Sequence, residues 1–183
     1  QLGVDALGVG EGDLVFGVDY LVEGAGRHQL PYVSANLRGR DGELLFPASR
    51  VVNRAGLKIG ITGVTASKFT SEGVTADPAV AAVRPVIERL RSEEKVDLVV
   101  LLSHQGSSED RLLLQSIEGI DLIFSGHDRA PQVDPLVIGN TALFRSAAQG
   151  KYLGQVEIEF RPGGRGWADD VGRAKAIRRK SQL

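Results

Sequence analysis

VDLVVLLSHQG, residues 96–106, is the stretch on which the fold turns. Its apolar run from Val96 to Ser103 has no polar alternation, as suits a strand buried on both faces of a parallel sheet. It closes on the small Ser103, then His104, then a loop at Gln105 and Gly106. GIDLIFSGHD, residues 119–128, repeats the plan, with a buried strand from Ile120 to Ser125, small Gly126, and His127. A short helical segment, residues 107–117, separates the two. Strands alternating with helices give an α/β fold with a parallel sheet. Ligands of such sheets gather outside the carboxyl ends of the strands. Two adjacent parallel strands would bring the imidazoles of His104 and His127 within reach of one metal ion, and imidazole suits zinc, manganese or iron. The alternative is that each His caps its strand and bonds a local carbonyl.

Working outward, residues 31–37 (PYVSANL) read as a short strand and residues 58–65 (KIGITGVT) as a buried one. Residues 38–57 read as a hairpin region turning at Asp41-Gly42. Residues 77–94 read as a helix, with Asp77 as its N-cap and Pro78 at its first position. Val80, Val83, Val86, Ile87 and Leu90 recur at helical spacing. Pro85 interrupts that pattern and predicts a kink or a restart. Residues 136–146 and 152–160 read as further sheet strands, and Gly163, Gly164 and Gly166 as a loop. The expected organisation is one domain over residues 1–162, followed by a Gly-rich loop and a basic, solvated tail over residues 163–183.

The 183 residues are 42% hydrophobic and 25% charged, with a formal net charge of −1. No global field therefore favours nucleic acid or an anionic membrane. There is no cysteine, which excludes thiolate metal sites and a Cys nucleophile in this stretch. No apolar run reaches the ~20 residues that span a bilayer. The chain opens at Gln1 and contains no Met. It is therefore expected to be a processed or excised segment, with any upstream motif outside it.

Residues 7–14 (LGVGEGDL) nearly match the dinucleotide fingerprint, but Asp13 stands where its third Gly belongs. A Rossmann-type nucleotide-binding domain is the reading this near-miss supports. Gly150-Lys151 is followed by Tyr152, so no Walker A loop is present, and no nucleophile elbow occurs either. His28, in a polar stretch, reads as a surface residue.

The order of six segments resembles the calcineurin-like metallophosphoesterases of the 5′-nucleotidase type. Residues 3–14 (GVDALGVGEGDL) look like the family's GYDA…LGNHEFD, and residues 30–37 like its FPVLSANV strand. Residues 56–66 (GLKIGITGVTA) resemble GvKIGiiGlt. Residues 96–106 resemble vDlvIvLSHlG, and residues 119–128 resemble giDlIigGHtH. Residues 139–160 resemble GnTlivQaGeyGkylGrldlef. The resemblance implies a sandwich of mixed β-sheets flanked by helices, with the N-terminal part missing from this segment. It also implies hydrolysis of phosphate esters at a pair of divalent metals.

Carried over residue by residue, the resemblance makes His104 and His127 metal ligands and gives Glu11 and Asp13 loop-supporting roles. The chain also departs from the pattern. Val9 replaces the ligand Asn, Gly10 replaces the His that assists the leaving group, and Arg129 replaces the second His of GHtH. Arg stays protonated and cannot bind a metal, but its guanidinium can hold a phosphate. The D-x-H and bridging-Asp motifs would precede Gln1. A divergent bacterial branch, with GeGDL-like sequences in place of GNHE, is closer.

The expected function is a metal-dependent phosphoesterase domain related to 5′-nucleotidases, using manganese, zinc or iron on a nucleotide or similar phosphate ester. The full-length protein would be the enzyme, and this segment alone inactive, its metal site weakly filled. The competing reading is a catalytically degenerate module that binds a metal, an anion or a protein partner. The resemblance implies a periplasmic or exported protein. A sheet edge left bare by missing strands would be covered in a homodimer.

Overall fold

A computed structural model describes residues 3–68, 71–129, 132–146, 152–158 and 177–180. In chain order its strands are β1 (Leu7–Gly8), β2 (Tyr32–Val33), β3 (Leu37–Arg38), β4 (Ser49–Arg54), β5 (Leu57–Thr65) and β6 (Thr75–Ala76). There follow β7 (Leu98–His104), β8 (Leu122–Ser125), β9 (Gln132–Ile138), β10 (Thr141–Arg145), β11 (Tyr152–Gln155) and β12 (Ile177–Lys180). The helices are α1 (Val18–His28), α2 (Ala79–Ser92) and α3 (Ser107–Ser116).

The central sheet runs β4-β5-β7-β8-β10-β9. Strands β5, β7, β8 and β10 are parallel, while β4 and β9 add antiparallel edges. This is a mixed α/β sheet, as the alternation of segments predicts. One face packs against α2 and α3. Val83, Ile87 and Leu90 of α2 and Leu113 of α3 meet Val99, Leu101, Ile123 and Leu143 of the sheet. The other face carries Ile61, Val100, Leu122, Ala142 and Phe144. Against that face lie β1 and β2, which pair in parallel. Two close approaches seat them. A Cβ on Gly8 would stand 3.1 Å from Leu102 Cβ, and one on Gly63 only 2.4 Å from the Val33 carbonyl oxygen. A third cluster joins α1 to β3, through Leu14, Leu21, Leu37, Phe46 and Val74.

Several expectations are corrected. Residues 31–37 do not form one strand. The side chain of Asn36 donates to the carbonyls of Thr65 (2.7 Å) and Asp77 (3.1 Å) and accepts from Thr65 N–H (3.0 Å). Those bonds fix a bend between β2 and β3. The turn at Asp41-Gly42 exists, with Gly42 at φ 80°. The main hairpin is instead β4–β5, turning at Ala55 (φ 50°) and Gly56 (φ 81°). Asp77 does not cap α2. Pro78 takes the cap position, and the Asp77 carboxylate accepts from Arg38 Nε at 2.6 Å. Helix α2 continues through Pro85 without a restart. Pro85 and Ala81, whose carbonyl an N–H at 85 would have met, both lie on the exposed flank, where water can serve that carbonyl. Part of the basic tail is a strand, because β12 pairs antiparallel with β11. Gly163, Gly164 and Gly166 lie outside the described residues. No helix among the described residues is long and apolar enough to cross a membrane.

Candidate metal centre

Strands β7 and β8 run in parallel register, ending with Ser103 opposite Ser125. His104 is the last residue of β7. Gly126 adds one more rung by donating its N–H to the Ser103 carbonyl at 2.7 Å. The chain then turns at His127, whose φ of 69° is left-handed and rare for a residue with a Cβ. The two rings meet edge to face, centroids 5.4 Å apart and planes 87° apart.

The third member arrives from far along the chain. After β1, residues Glu11–Leu14 make a single 3-10 turn, closed by Gly10 N–H donating to Asp13 Oδ2 at 2.8 Å. That turn aims Glu11 at both imidazoles. Its Oε2 lies 2.6 Å from His104 Nε2 and its Oε1 2.9 Å from His127 Nδ1. The ligand atoms of Glu11, His104 and His127 all lie within 4.8 Å of one another. Burial acts to raise the Glu11 pKa, but its own backbone N–H and the two imidazoles outweigh that and hold it below its ordinary value. The donor set suits a borderline divalent cation such as Mn, Fe or Zn, which two imidazoles and a carboxylate commonly bind.

Glycines make room for the rings. A Cβ on Gly10 would stand 3.0–3.1 Å from three atoms of the His104 ring, and one on Gly126 2.8 Å from its Nδ1. Gly106, at φ 96°, passes beside His127.

The cluster thus brings together His104, His127 and Glu11, the last of which the resemblance had given only a loop-supporting part. Asp13 serves the turn. Val9 is buried at 2% exposure in the cluster around α1, and its carbonyl accepts from Thr65 Oγ1 at 2.8 Å. Arg129 is exposed, two residues beyond His127, and His28 is exposed at the end of α1. The glycine-rich stretch forms a strand and a 3-10 turn packed on His104. It does not open a helix as a dinucleotide loop must, so the Rossmann reading is set aside.

Sequence reasoning missed Arg145, Ser107 and Asp128. Asp128 accepts from Ser107 N–H at 2.9 Å and from the Ser107 hydroxyl, which also accepts from Arg145 at 2.7 Å. The Asp128 carboxyl lies below its ordinary pKa, chiefly through the Ser107 hydroxyl. Burial opposes this, while Ser107 N–H, Arg145 and His127 add to it. The available signal was an arginine closing an otherwise apolar strand, TALFR.

No protein-family model matches the chain. It is 27% identical over 189 residues to the 5′-nucleotidase of Mus musculus, a match covering 87% of this chain and 32% of the relative. Its fold matches the sulfate thiohydrolase SoxB of Thermus thermophilus with a TM-score of 0.78 and 28% identity, over 88% of this chain and 31% of that one. It also matches the calcineurin-like phosphoesterase YfkN of Bacillus subtilis with a TM-score of 0.72 and 21% identity, over 97% and 66%. The chain spans about a third of the length of the first curated relatives (32% for the mouse protein). The ordered motifs, the mixed sheet and these matches agree, and the chain is similar in sequence and fold to metallophosphoesterases of the 5′-nucleotidase type.

Proposed function

We propose that this chain is the metal-holding part of a divalent-metal hydrolase that cleaves esters of tetrahedral oxoanions, with a nucleotide or similar phosphomonoester as the first candidate substrate. The observation that carries the reading is the convergence of Glu11, His104 and His127 at the carboxyl ends of parallel strands. His104 would bind through Nε2, His127 through Nδ1, and Glu11 through its carboxylate. Once bound, such a cation polarises an oxoanion's oxygens and lowers the pKa of a water. The chain's own part is to present both imidazoles and to supply the one carboxylate of the set. Arg129, exposed just past His127, is proposed to seat the oxoanion through its guanidinium fork.

The kinship with a protein named sulfate thiohydrolase makes sulfate a second candidate, since it shares the tetrahedral oxygen shell. A degenerate, binding-only module is the competing reading, favoured by Val9 and Gly10 at positions where the family keeps side chains with chemistry. An exported or periplasmic setting is proposed on kinship alone.

Calorimetric titration of the chain with Mn²⁺ tests the core of the reading. One saturable site that disappears in a His104→Ala, His127→Ala double variant supports it, and no saturable binding refutes it. Full-length protein that turns over p-nitrophenyl phosphate or AMP would separate the enzyme from the binding module.

A further inference from the structure

Asp110 is completely buried (0% exposed), and no basic side chain pairs with it among the described residues. A lone carboxylate in such a place is costly unless donors surround it. Asp110 has three. Its Oδ1 accepts from the Ser103 hydroxyl and from Gln105 Nε2 at 3.1 Å, and its Oδ2 accepts from the Ser125 hydroxyl at 2.5 Å. Ser103 and Ser125 are themselves 4% and 5% exposed.

These donors are placed in a particular way. Ser103 and Ser125 face each other as the last residues paired between β7 and β8. Ser103 directly precedes His104, and Ser125 stands two residues before His127. One carboxylate, carried on the first turn of α3, therefore ties together the two strand ends from which the imidazoles project. A strand end frays when its last rung is unsupported, and a fray at either strand would change the His104–His127 spacing.

We infer that Asp110 is a positioning residue that fixes the distance between His104 and His127 by bridging the hydroxyls of Ser103 and Ser125. It touches neither imidazole and acts only through the strand ends. The inference leans on the metal-holding reading for one of its two readouts; the other needs no metal.

The test uses the whole chain in four forms, namely wild type, Asp110→Asn, the double variant Ser103→Ala, Ser125→Ala, and Ser103→Thr, Ser125→Thr. Asn keeps the size but replaces one acceptor with a donor, so the two hydroxyls can no longer both donate to it. Imidazole ¹⁵N–¹H resonances of His104 and His127 are recorded without metal, together with the cross-peak between the rings. Mn²⁺ affinity and the urea midpoint are measured on the same samples. The expected result is shifted, broadened imidazole resonances and about tenfold weaker Mn²⁺ binding in Asp110→Asn and in the double Ala variant, as loss of a ligand-orienting partner produces. The Thr variants keep both hydroxyls and should match wild type. Should Asp110→Asn prove too unstable, the double Ala variant decides the matter alone. Lower stability with unchanged imidazole resonances would overturn the inference, leaving Asp110 a purely structural residue. Wild type that binds no Mn²⁺ would sink the proposed function, and the metal-free resonances would still decide the role of Asp110.

Discussion

Replacing Gly126 with Ala is the sharpest test of how His104 is held. The new Cβ would lie 2.8 Å from His104 Nδ1 and 3.5 Å from the Ser103 carbonyl oxygen. Ordinary contacts between such atoms are about 3.5 Å, so the ring must retreat by about 0.7 Å. Gly126 is not at positive φ, so Ala adds no backbone strain there. The whole effect falls on the imidazole. A metal site tolerates about 0.2 Å in its ligand distances, several times less than that retreat. Binding of Mn²⁺ should therefore weaken at least tenfold, about 1.4 kcal/mol.

Stability should respond less. Overpacking costs about 1–3 kcal/mol, while Ala offsets about 0.4–1 kcal/mol by restricting the unfolded chain. The ring is also 31% exposed and can swing outward, which would relieve the clash but not restore the ligand. Calorimetric titration with Mn²⁺ beside urea unfolding separates the two effects. A folded Gly126→Ala protein with wild-type Mn²⁺ affinity would refute the reasoning, because His104 would then have room the geometry denies it.

Glu11→Gln keeps the shape of the side chain and removes its charge. Mn²⁺ affinity should fall about 10–100-fold, while urea stability shifts by less than about 1 kcal/mol because the group is half-exposed. Gly63→Ala should be far more disruptive to folding, since its Cβ meets the Val33 carbonyl at 2.4 Å and backbone cannot step aside as a side chain can. A loss of about 3 kcal/mol is expected in urea titration. Tyr32 has its pKa raised by burial and by the adjacent Asp13 carboxylate. Its neutral form is thus favoured by folding, so its contribution is intact below the unfolded tyrosine pKa and is lost as pH rises through the folded one. Wild type should lose stability over that alkaline window more steeply than Tyr32→Phe, as measured by urea midpoints at a series of pH values.

What could be read from the sequence was whatever local pattern decides. The apolar runs of β7 and β8 read as two-sided strands and β5 as a buried one that alternates before it runs apolar, and α2 showed its buried face in the spacing of Val83, Val86, Ile87 and Leu90. His104 and His127 were found because each follows such a run. What escaped depends on contacts between distant segments. Asn36 breaks a strand-like stretch because three backbone groups from Thr65 and Asp77 reach it, and nothing in PYVSANL announces them. The β4–β5 hairpin turns at Ala55-Gly56, where only the Gly is a turn residue, while the more conspicuous Asp41-Gly42 makes a smaller turn. Asp77 looked like a helix cap until Arg38 claimed its carboxylate. Glu11 was legible as part of a motif, but its aim is set by a turn that Asp13 closes and by glycines that clear the space around His104.

Three aspartates stand around this centre, and none points at it. Asp13 closes the turn that carries Glu11, Asp110 ties the ends of β7 and β8, and Asp128 holds the loop of His127 to the start of α3. Each accepts hydrogen bonds from backbone N–H groups or hydroxyls within a few residues of a proposed ligand. The cost of ordering the two imidazoles and the carboxylate is therefore met in folding, before any ion arrives, and that is the condition for tight binding by a small donor set. Gly10 belongs to these supports, since its N–H closes the turn of Glu11 and its missing side chain clears the His104 ring, whereas Val9 and Arg129 stand where the pattern the chain resembles has metal ligands. A donor set reduced at those two positions rests the more on Glu11, whose aim at both imidazoles depends on the bond from Gly10 to Asp13.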